Sequence, residues 1–533
     1  ANGNQLSMKS ATANGVDVEY QYDCLNRLTN VVDNRLAGTK HTGYTFDGGG
    51  NLATLKYPNG VTNHWQYDSL NRLTNLTWKL NGAPRADFAY KVGAAGHRTN
   101  LSETVNGISR VFAWQFDRLY RLTNETVTGS SPTGALSYEY DAAGNRLGRN
   151  GTLGSLGSQT LAYSANNWID NDANPNNGST YFDANGNTVS LDGTWQYDWA
   201  NRLTNFNNGA ATYVYDADGH RIKKTAGGVT TWYLVAAVNP SGWPQLVEEH
   251  TGSSPGTLSR RYTDGLDLIS QSRWTGSAWD THFYLTDGLG STRALLDPSG
   301  NVTDTYVYDA YGTLIASTGT TPNDYRFTGE QWDAAIGQYY LRARTMHPGY
   351  GRFWTRDTWE GNQSDPQSLH KYLYAHCDPV NGVDPSGNFT LTELMTTTFT
   401  IANLASRVYV SYKVGHLIGT GIRFTYGEEM AFDELLDESL KTGVDIAGGW
   451  AIGRGVGFAF NRWIGPLTRK LTPLVWQRAH QLGRAAEASI LARYNLFKNS
   501  KSLAELGGRG DFVPDGIASD VLREVKNVAR LQL

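Results

Sequence analysis

The sequence predicts a mostly β protein built from stacked β-hairpins, and three observations support this prediction. Composition is the first: the 533 residues include 59 Gly, 30 Tyr and 16 Trp, while only 18% are charged, and glycine turns with aromatic faces are typical of β-rich chains. The second is a nine-residue motif that recurs through the first 225 residues. The third is that alternating stretches such as VEYQY and TYVY precede the motif, as expected for strands with one buried face.

The repeated motif predicts a hairpin turn. Its close copies are YDCLNRLTN at Tyr22, YDSLNRLTN at Tyr67, FDRLYRLTN at Phe116 and YDWANRLTN at Tyr197, and looser copies start at Phe46, Tyr140, Phe182 and Tyr215. The Asp and the following Asn or Gly favour a tight turn, because Asx side chains bond nearby backbone and Gly accepts positive φ. One hairpin of roughly twenty residues is too small to be stable alone. We therefore expect stacked copies that bury one continuous face, the alternative being independent hairpins in a sandwich.

Charge and cysteine content limit the functional classes to which the protein could belong. The formal net charge is −4, so bulk charge gives no support for nucleic-acid binding, although a small basic domain could hide within this average. The two cysteines, Cys24 and Cys377, are too few for a disulfide framework. The first residues, ANGNQLSMKSATANG, have no signal-peptide pattern and no initiator Met, so we expect a fragment whose start lies upstream.

The YDxxNRLTN units resemble the YD repeats of RHS (rearrangement hotspot) proteins. Segments such as HFYLTDGLGSTRALLDPSGNV and YRFTGEQWDAAIGQYYLRARTMHPGYGRFWTRD resemble the RHS-associated core that closes such repeats. The combined match runs from about residue 16 to residue 387. The resemblance implies a β-hairpin ribbon that spirals into a hollow shell, so we expect a YD-repeat shell at 1–270 and an RHS-associated core at 271–387.

After the DPSG motif the aromatic alternation stops, and the predicted structure changes. Residues 388–465 contain helical stretches and are expected to form a pre-toxin or linker region of buried or amphipathic helices; a segment that helps a toxin cross a membrane is the alternative. Asp445 and Arg454 interrupt the apolar run VDIAGGWAIGRGVGFAF, so we expect no stable membrane insertion. Residues 466–533 begin as basic helices and continue as strands, which predicts part of an α/β domain.

Two aspartates in the core are candidates for self-cleavage. In RHS proteins that process themselves, an aspartyl-protease-like pair cuts the chain after a DPxG motif, and the resemblance assigns this pair to Asp357 and Asp384, with Arg356 as the basic residue beside the first. Such chemistry requires two carboxyls that share one proton, so that one activates water and the other protonates the carbonyl. Cleavage would fall between Gly387 and Asn388, where the family often has Leu in place of the Asn. The alternative is that both aspartates only cap turns.

The stretch PDGIASDVLREVKNV holds a second candidate site. Residues two apart share one face of a strand, so Glu524 and Lys526 point the same way, and the short turn before them lets Asp515 converge with Glu524. Carboxylate oxygens suit Mg²⁺, and a lysine could orient the attacking water. The arrangement resembles PD-(D/E)xK restriction-endonuclease-like nucleases, which implies Asp515 and Glu524 as metal ligands, Lys526 as the catalytic lysine and Glu487 as a further residue near the metal. The alternative is a solvent-exposed Glu524–Lys526 pair that contributes under ~1 kcal/mol.

Together these features predict an RHS-type polymorphic toxin that is secreted or held at the cell surface and delivered into the cytoplasm of a target cell. The β-shell would enclose a metal-dependent nuclease, more a DNase than an RNase, and its partners would be nucleic acid, an immunity protein and secretion machinery. Because this nuclease fold needs a further helix and strand after Lys526, we expect the chain to hold only its first half and to have little activity. The rival is a surface or adhesion RHS protein whose repeats bind carbohydrate.

Overall fold

The computed structural model of the chain describes residues 4–170, 181–254, 256–361, 365–388 and 390–391. All of them belong to the first of two compact units into which the chain divides, Gly3–Ala405. The predicted regions 388–465 and 466–533 lie outside the described residues, except for positions 388, 390 and 391.

Three antiparallel sheets account for the strands of the described ranges. The first sheet contains β1 Ser7–Lys9, β2 Asp17–Tyr22, β3 Leu28–Asp33, β4 His41–Phe46, β5 Leu52–Lys56, β6 Val61–Tyr67, β7 Leu73–Leu80, β8 Ala83–Val92, β9 Arg98–Val105, β10 Ile108–Phe116, β11 Leu122–Gly129, β12 Gly134–Tyr140, β13 Arg146–Leu153 and β14 Gln159–Thr160. The second contains β15 Trp195–Tyr197, β16 Leu203–Phe206, β17 Ala211–Tyr215, β18 Arg221–Ala226, β19 Val229–Ala236, β20 Gln245–Thr251, β21 Thr257–Asp264, β22 Leu268–Trp274, β23 Trp279–Thr286, β24 Thr292–Leu296, β25 Val302–Tyr308 and β26 Leu314–Thr318. The third contains β27 Gln331–Asp333, β28 Gln338–Leu341, β29 Arg344–His347 and β30 Arg352–Phe353.

Helix is confined, in the part of the chain that the structure describes, to short 3₁₀ turns at Asn207–Gly209, Phe327–Gly329, Pro366–Leu369 and Ala375–Cys377. No helix there is long and apolar enough to cross a membrane. Within each sheet every strand pairs with the strand that follows it in sequence. The predicted mostly β ribbon of hairpins is therefore confirmed, and its second sheet continues without a break across residue 270, because β22 spans that position.

The repeated motif lies at the hairpin turns, and the turn between β6 and β7 shows why. The Asp68 carboxylate accepts hydrogen bonds from the backbone N–H groups of Leu70 (2.9 Å) and Arg72 (3.0 Å), and its other oxygen pairs with the Arg72 guanidinium at 2.6 Å. Asn71 adopts a left-handed φ of 60°, which Asn tolerates better than most residues. The same arrangement, in which an aspartate accepts from the N–H groups two and four residues later, recurs at Asp23, Asp117 and Asp198.

The other residues of the motif join one hairpin to its neighbours. The Tyr67 hydroxyl donates to the carbonyl of Leu52 at 3.0 Å, in the preceding hairpin. Arg72 donates to the carbonyl of Gly93 at 3.1 Å, in the next turn along the sheet. Equivalent tyrosine and arginine bonds recur at Tyr140, Tyr215, Arg121 and Arg202. The motif thus specifies both the turn and the stacking of successive turns, which explains why its copies are so similar.

One hydrophobic core joins the first two sheets. It includes Trp78 and Phe88 of the first sheet together with Phe283 and Leu285 of the second, all fully buried or nearly so. The Trp78 indole N–H also donates to the carbonyl of Thr286 at 2.9 Å, so the largest buried side chain of this core has a polar partner. Because hairpins alone are marginal, burial of this shared face is what stabilises the ribbon.

The small third sheet packs on the second and positions the candidate site. Tyr339, Leu341 and Phe353 are buried in a cluster with aromatic residues of the second sheet, including Tyr308. The Tyr339 hydroxyl donates to the carbonyl of Gly312 at 2.9 Å, which fixes this sheet beside the end of β25.

Candidate active site

The candidate site lies where the chain returns to the turn between β28 and β29. Residues 383–388 run beside this turn, and the backbone N–H of Ala343 donates to the carbonyl of Ser386 at 3.3 Å. Val383 pairs with Leu391 as an isolated bridge, which holds the far end of the segment. Arg344, the first residue of β29, therefore faces the DPSG motif although the two are distant in sequence.

Arg344 brings the two predicted aspartates together. Its Nη2 lies 2.6 Å from Asp357 Oδ2 and 3.6 Å from Asp384 Oδ2, so the two carboxylates share one guanidinium. The three side chains are largely removed from water, with 5% of Arg344, 9% of Asp357 and 1% of Asp384 exposed. Burial in a medium of low dielectric strengthens the interactions among these charges.

The same groups hold both ends of the Gly387–Asn388 peptide bond. Arg344 Nε donates a hydrogen bond to the carbonyl oxygen of Gly387. The backbone N–H of Asn388 donates to Asp384 Oδ1 at 3.1 Å, and the Ser386 hydroxyl donates to the same oxygen at 3.0 Å. A single peptide bond is thus placed between a cation on its oxygen and a carboxyl on its nitrogen.

Gly387 is required by the geometry of this segment. Its φ is +73°, in the left-handed region. A Cβ at this position would lie 2.3 Å from the carbonyl oxygen of Leu341 and 2.9 Å from the backbone nitrogen of Arg344. Because both neighbours are backbone atoms, they cannot move aside cheaply, and only glycine fits here.

Burial shifts the ionisation of all three groups. It raises the pKa of Asp384 to about 7, since the Arg344 charge and the Ser386 hydrogen bond offset only part of the lost hydration. The pKa of Asp357 is also raised by burial, which Arg344 opposes, and burial lowers the pKa of Arg344. Arg344 lies closer to Asp357 than to Asp384, so its charge favours Asp357 as the ionised member and leaves Asp384 as the member that holds a proton.

Such an arrangement has the parts needed for peptide hydrolysis. Two carboxyls in different environments can act as base and acid, and a fixed donor on the carbonyl oxygen can stabilise negative charge there. Both aspartates also cap turns, as the alternative hypothesis predicts. Asp357 accepts from the N–H of Trp359 at 2.8 Å, and Asp384 accepts from the N–H of Asn388 at 3.1 Å. Turn capping and a catalytic role are therefore compatible in the same residues.

The structure brings together Asp357, Asp384, Gly387 and Asn388, but it does not bring Arg356 to them. Arg356 is exposed, and its side chain lies over Gly186. Although Arg356 immediately precedes Asp357 in sequence, its side chain lies against Gly186 and does not pair with the Asp357 carboxylate. Sequence reasoning missed Arg344, because nothing local distinguishes it from Arg342, which pairs instead with Glu330 at 2.9 Å.

The predicted nuclease residues Asp515, Glu524, Lys526 and Glu487 lie outside the described residues, and so does any Mg²⁺ site that they would form. Within the described ranges, ligand atoms of Asp216, Asp218 and His220 lie within 4.8 Å of one another. These three belong to a turn of the repeated motif, where Asp216 accepts from the backbone N–H of His220 at 2.8 Å. This cluster is explained by the turn itself.

Comparison with known proteins gives one family and several relatives. The model of the teneurin YD-shell family matches residues 99–380, more than half of the chain. The tRNA3(Ser)-specific nuclease WapA of Bacillus spizizenii is 31% identical over 284 residues, and the tRNA nuclease WapA of Bacillus subtilis (strain 168) is 30% identical over the same length. Each match covers 51% of this chain but only 12% of the relative.

Among solved structures, the Photorhabdus luminescens Tc holotoxin pore resembles the chain with a TM-score of 0.60 and 18% identity. The match covers 74% of this chain and 21% of that chain. At this identity the likeness concerns the fold alone.

Proposed function

Because the chain belongs to the teneurin YD-shell family, we propose that it is part of an RHS-type toxin whose β-shell encloses a C-terminal effector and cuts its own chain between Gly387 and Asn388. The observation that carries this proposal is that Arg344 and Asp384 hold the two ends of that peptide bond. A cut there would separate the shell from everything that follows the DPSG motif.

The relatives support the toxin class. Two proteins that share about half of this chain are named as tRNA nucleases, so a YD shell of this kind occurs in proteins with a nuclease activity. The matched part is a small share of each relative. The relatives therefore support a protein that combines a YD shell with a nuclease, and experiment must decide which nucleic acid this nuclease cuts.

The chemistry of the cut is hydrolysis. Water adds to the carbonyl carbon of Gly387, the bond to the Asn388 nitrogen breaks, and the products are a carboxylate at Gly387 and an amine at Asn388. The two carboxyls of Asp357 and Asp384 supply the base and the acid, as in other sites where paired carboxyls differ in pKa. No cofactor is needed for this step.

The effector is proposed to be a Mg²⁺-dependent nuclease with Asp515 and Glu524 as metal ligands, Lys526 as catalytic lysine and Glu487 nearby. Its partners would be target nucleic acid, an immunity protein that protects the producing cell, and the machinery that secretes and delivers the toxin in competition between bacteria. Secretion or display at the cell surface follows from this role.

Self-cleavage is tested by expressing the whole chain and analysing the products by intact mass and N-terminal sequencing. We expect a C-terminal product that begins at Asn388, and an uncut chain for Asp357→Asn and Asp384→Asn. A chain that stays intact in every condition, or a cut that persists in both variants, would overturn the proposal.

The nuclease is tested separately with the natural protein, Mg²⁺ and two substrates, duplex DNA and tRNA. We expect cleavage of one of them that EDTA abolishes and that Lys526→Ala lowers strongly. Arg530→Ala serves as the comparison variant, because it removes a charge close to Lys526 in sequence without touching the motif. Activity that survives Lys526→Ala, or no cleavage of either substrate, would contradict the nuclease assignment.

A further inference from the structure

The contacts around the Gly387–Asn388 bond assign the catalytic roles to different groups than a site with two carboxyls alone would. In such a pair one carboxyl activates water and the other protonates the carbonyl oxygen. Here the carbonyl oxygen of Gly387 already has a donor, Arg344 Nε. On the other side of the bond, the backbone N–H of Asn388 donates to Asp384 Oδ1 at 3.1 Å and to the Ser386 hydroxyl oxygen at 3.0 Å, so Asp384 lies within reach of this nitrogen.

We infer, on the basis of the self-cleavage proposed above, that Arg344 is a catalytic residue that binds the carbonyl oxygen of Gly387 as it becomes negative, and that Asp384 delivers its proton to the nitrogen of Asn388. Asp357, which pairs with Arg344 Nη2, is left as the base that takes a proton from water. The resemblance to RHS proteins assigned the basic role to Arg356, which is exposed and lies against Gly186 instead.

Arg344 is fixed in place before any reaction begins. Its guanidinium lies 3.6 Å from the centre of the Phe353 ring, which supports one face of the group. Its Nη1 donates to the carbonyl of Lys371 at 3.1 Å and its Nη2 pairs with Asp357 at 2.6 Å. A donor that is already oriented stabilises developing charge without reorganisation, and its effect is larger in a site that excludes water.

A guanidinium also suits this role better than a second carboxylic acid would. It keeps its charge at every physiological pH and offers several N–H donors in one plane. Its Nε can therefore hold the oxygen of Gly387 while its Nη2 holds Asp357. Lysine has a single ammonium and cannot make both contacts in the same geometry.

The proposed steps balance. Asp357 takes a proton from water as the water oxygen bonds to the carbonyl carbon of Gly387, and the carbonyl oxygen becomes an oxyanion held by Arg344. The proton of Asp384 moves to the nitrogen of Asn388, the C–N bond breaks, and the oxyanion re-forms a C=O bond. Asp357 ends with the proton taken from water, Asp384 ends ionised, and the new carboxyl group of Gly387 loses its proton to solvent. Proton exchange with solvent then restores Asp357 and Asp384 to their starting states.

The test measures the rate of self-cleavage during cell-free synthesis of the full chain, with samples quenched at successive times and separated by mass. Arg344→Met is expected to slow the cut on the order of 10²- to 10³-fold, the usual effect of removing one donor to an oxyanion. Arg352→Met is the matched control: Arg352 is also a buried arginine of the third sheet, but its contacts are the carbonyl of Asn167 and the rings of Tyr163 and Tyr372.

Folding is followed in the same samples by resistance of the shell to a protease and by the β signal in circular dichroism. If Arg344→Met does not fold, Arg344→Lys decides the question, and we expect it to fold and to cut at least about tenfold more slowly than the wild type, since the loss of one good catalytic contact exceeds about 1.4 kcal/mol. A folded Arg344→Met or Arg344→Lys that cuts at the wild-type rate would overturn this inference while leaving self-cleavage intact. A wild-type chain that is never cut would instead overturn the proposed function itself.

Discussion

Arg293 of β24 forms an ion pair with Glu103 of β9, although both side chains are buried. The pair therefore joins the second sheet to the first across their shared core. Glu103 also accepts from Arg110 at 3.3 Å, and Arg293 also pairs with Asp287 at 3.2 Å, so four charged groups form one buried network. A network of this kind depends on every partner, because each charge is poorly hydrated.

Replacing Arg293 by Met is expected to lower the free energy of unfolding by ~3–5 kcal/mol, since it leaves the Glu103 charge buried with one partner fewer. Urea unfolding followed by tryptophan fluorescence measures this loss. Lys9→Met is the control, because Lys9 pairs with Asp17 at 2.9 Å while 68% of its side chain is exposed, and such a surface pair contributes at most ~1 kcal/mol. Equal losses in the two variants would contradict the buried network.

Substitution of Asn71 tests the turn of the repeated motif. Asn71→Val is expected to destabilise the protein by ~1–3 kcal/mol, because a β-branched residue is strained at a φ of 60°. Asn71→Gly is expected to lose less than ~1 kcal/mol, since glycine adopts this conformation freely but gives up the bond from Asn51 at 3.0 Å. Thermal unfolding ranks the two variants by stability. A glycine variant that is less stable than the valine variant would contradict the requirement for a left-handed residue at this turn position.

Gly387→Ala is expected to stop self-cleavage, because its Cβ would displace the segment from the Arg344 and Leu341 backbone. The control is Gly337→Ala, in the turn between β27 and β28. Gly337 has a similar φ of +66°, but a Cβ there meets nothing within 4 Å, so the backbone strain is comparable and the clash is absent. The cut product should form in the control and not in Gly387→Ala, and cleavage of both would exclude a tight fit at this bond.

Self-cleavage should depend on pH through Asp384, whose pKa burial raises to about 7. The proposed acid must hold its proton, so the rate is expected to be greatest below about pH 7 and to fall by up to tenfold per pH unit above it. At the acid end the rate should fall again once Asp357 is protonated. A time course in buffers from pH 5 to 9 measures this profile, and a rate that keeps rising above pH 8 would exclude Asp384 as the proton donor.

Stability should depend on pH through Asp264, which is buried and whose pKa burial raises to about 8, with the Asp267 charge as a smaller cause. The unfolded chain loses this proton near the ordinary carboxyl pKa, while the folded chain keeps it up to about pH 8, so stability falls as pH rises between these values, by at most about 1.4 kcal/mol per unit. Asp264→Asn should flatten this decline. Asp218→Asn, at an exposed turn position, should leave it unchanged.

The hairpin repeats could be predicted from sequence because their determinants are local. The Asp68 carboxylate accepts hydrogen bonds from the N–H groups of Leu70 and Arg72, and Asn71 takes up the left-handed turn position. The partner of Asp357 could not be predicted in the same way. Arg344 of β29 pairs with Asp357, which follows β30, and it reaches Asp384 and Gly387 because the segment that ends at Asn388 lies against the turn before β29, a contact between residues about forty positions apart. Arg356, which is next to Asp357 in sequence, was the predicted basic residue, but its side chain lies against Gly186.

The local elements of this protein could be predicted from its amino-acid sequence: the antiparallel hairpins, their turns, and Asp357 and Asp384 as the aspartates of the candidate site. The packing of distant segments places one peptide bond between Arg344 and Asp384, and the burial that results raises the pKa of Asp384 to about 7. The hydrogen bonds of a turn join residues within four or five positions of one another, so the motif itself specifies them. Burial and ion pairing depend on which distant strands pack together, and that is settled only when the core shared by the sheets has formed.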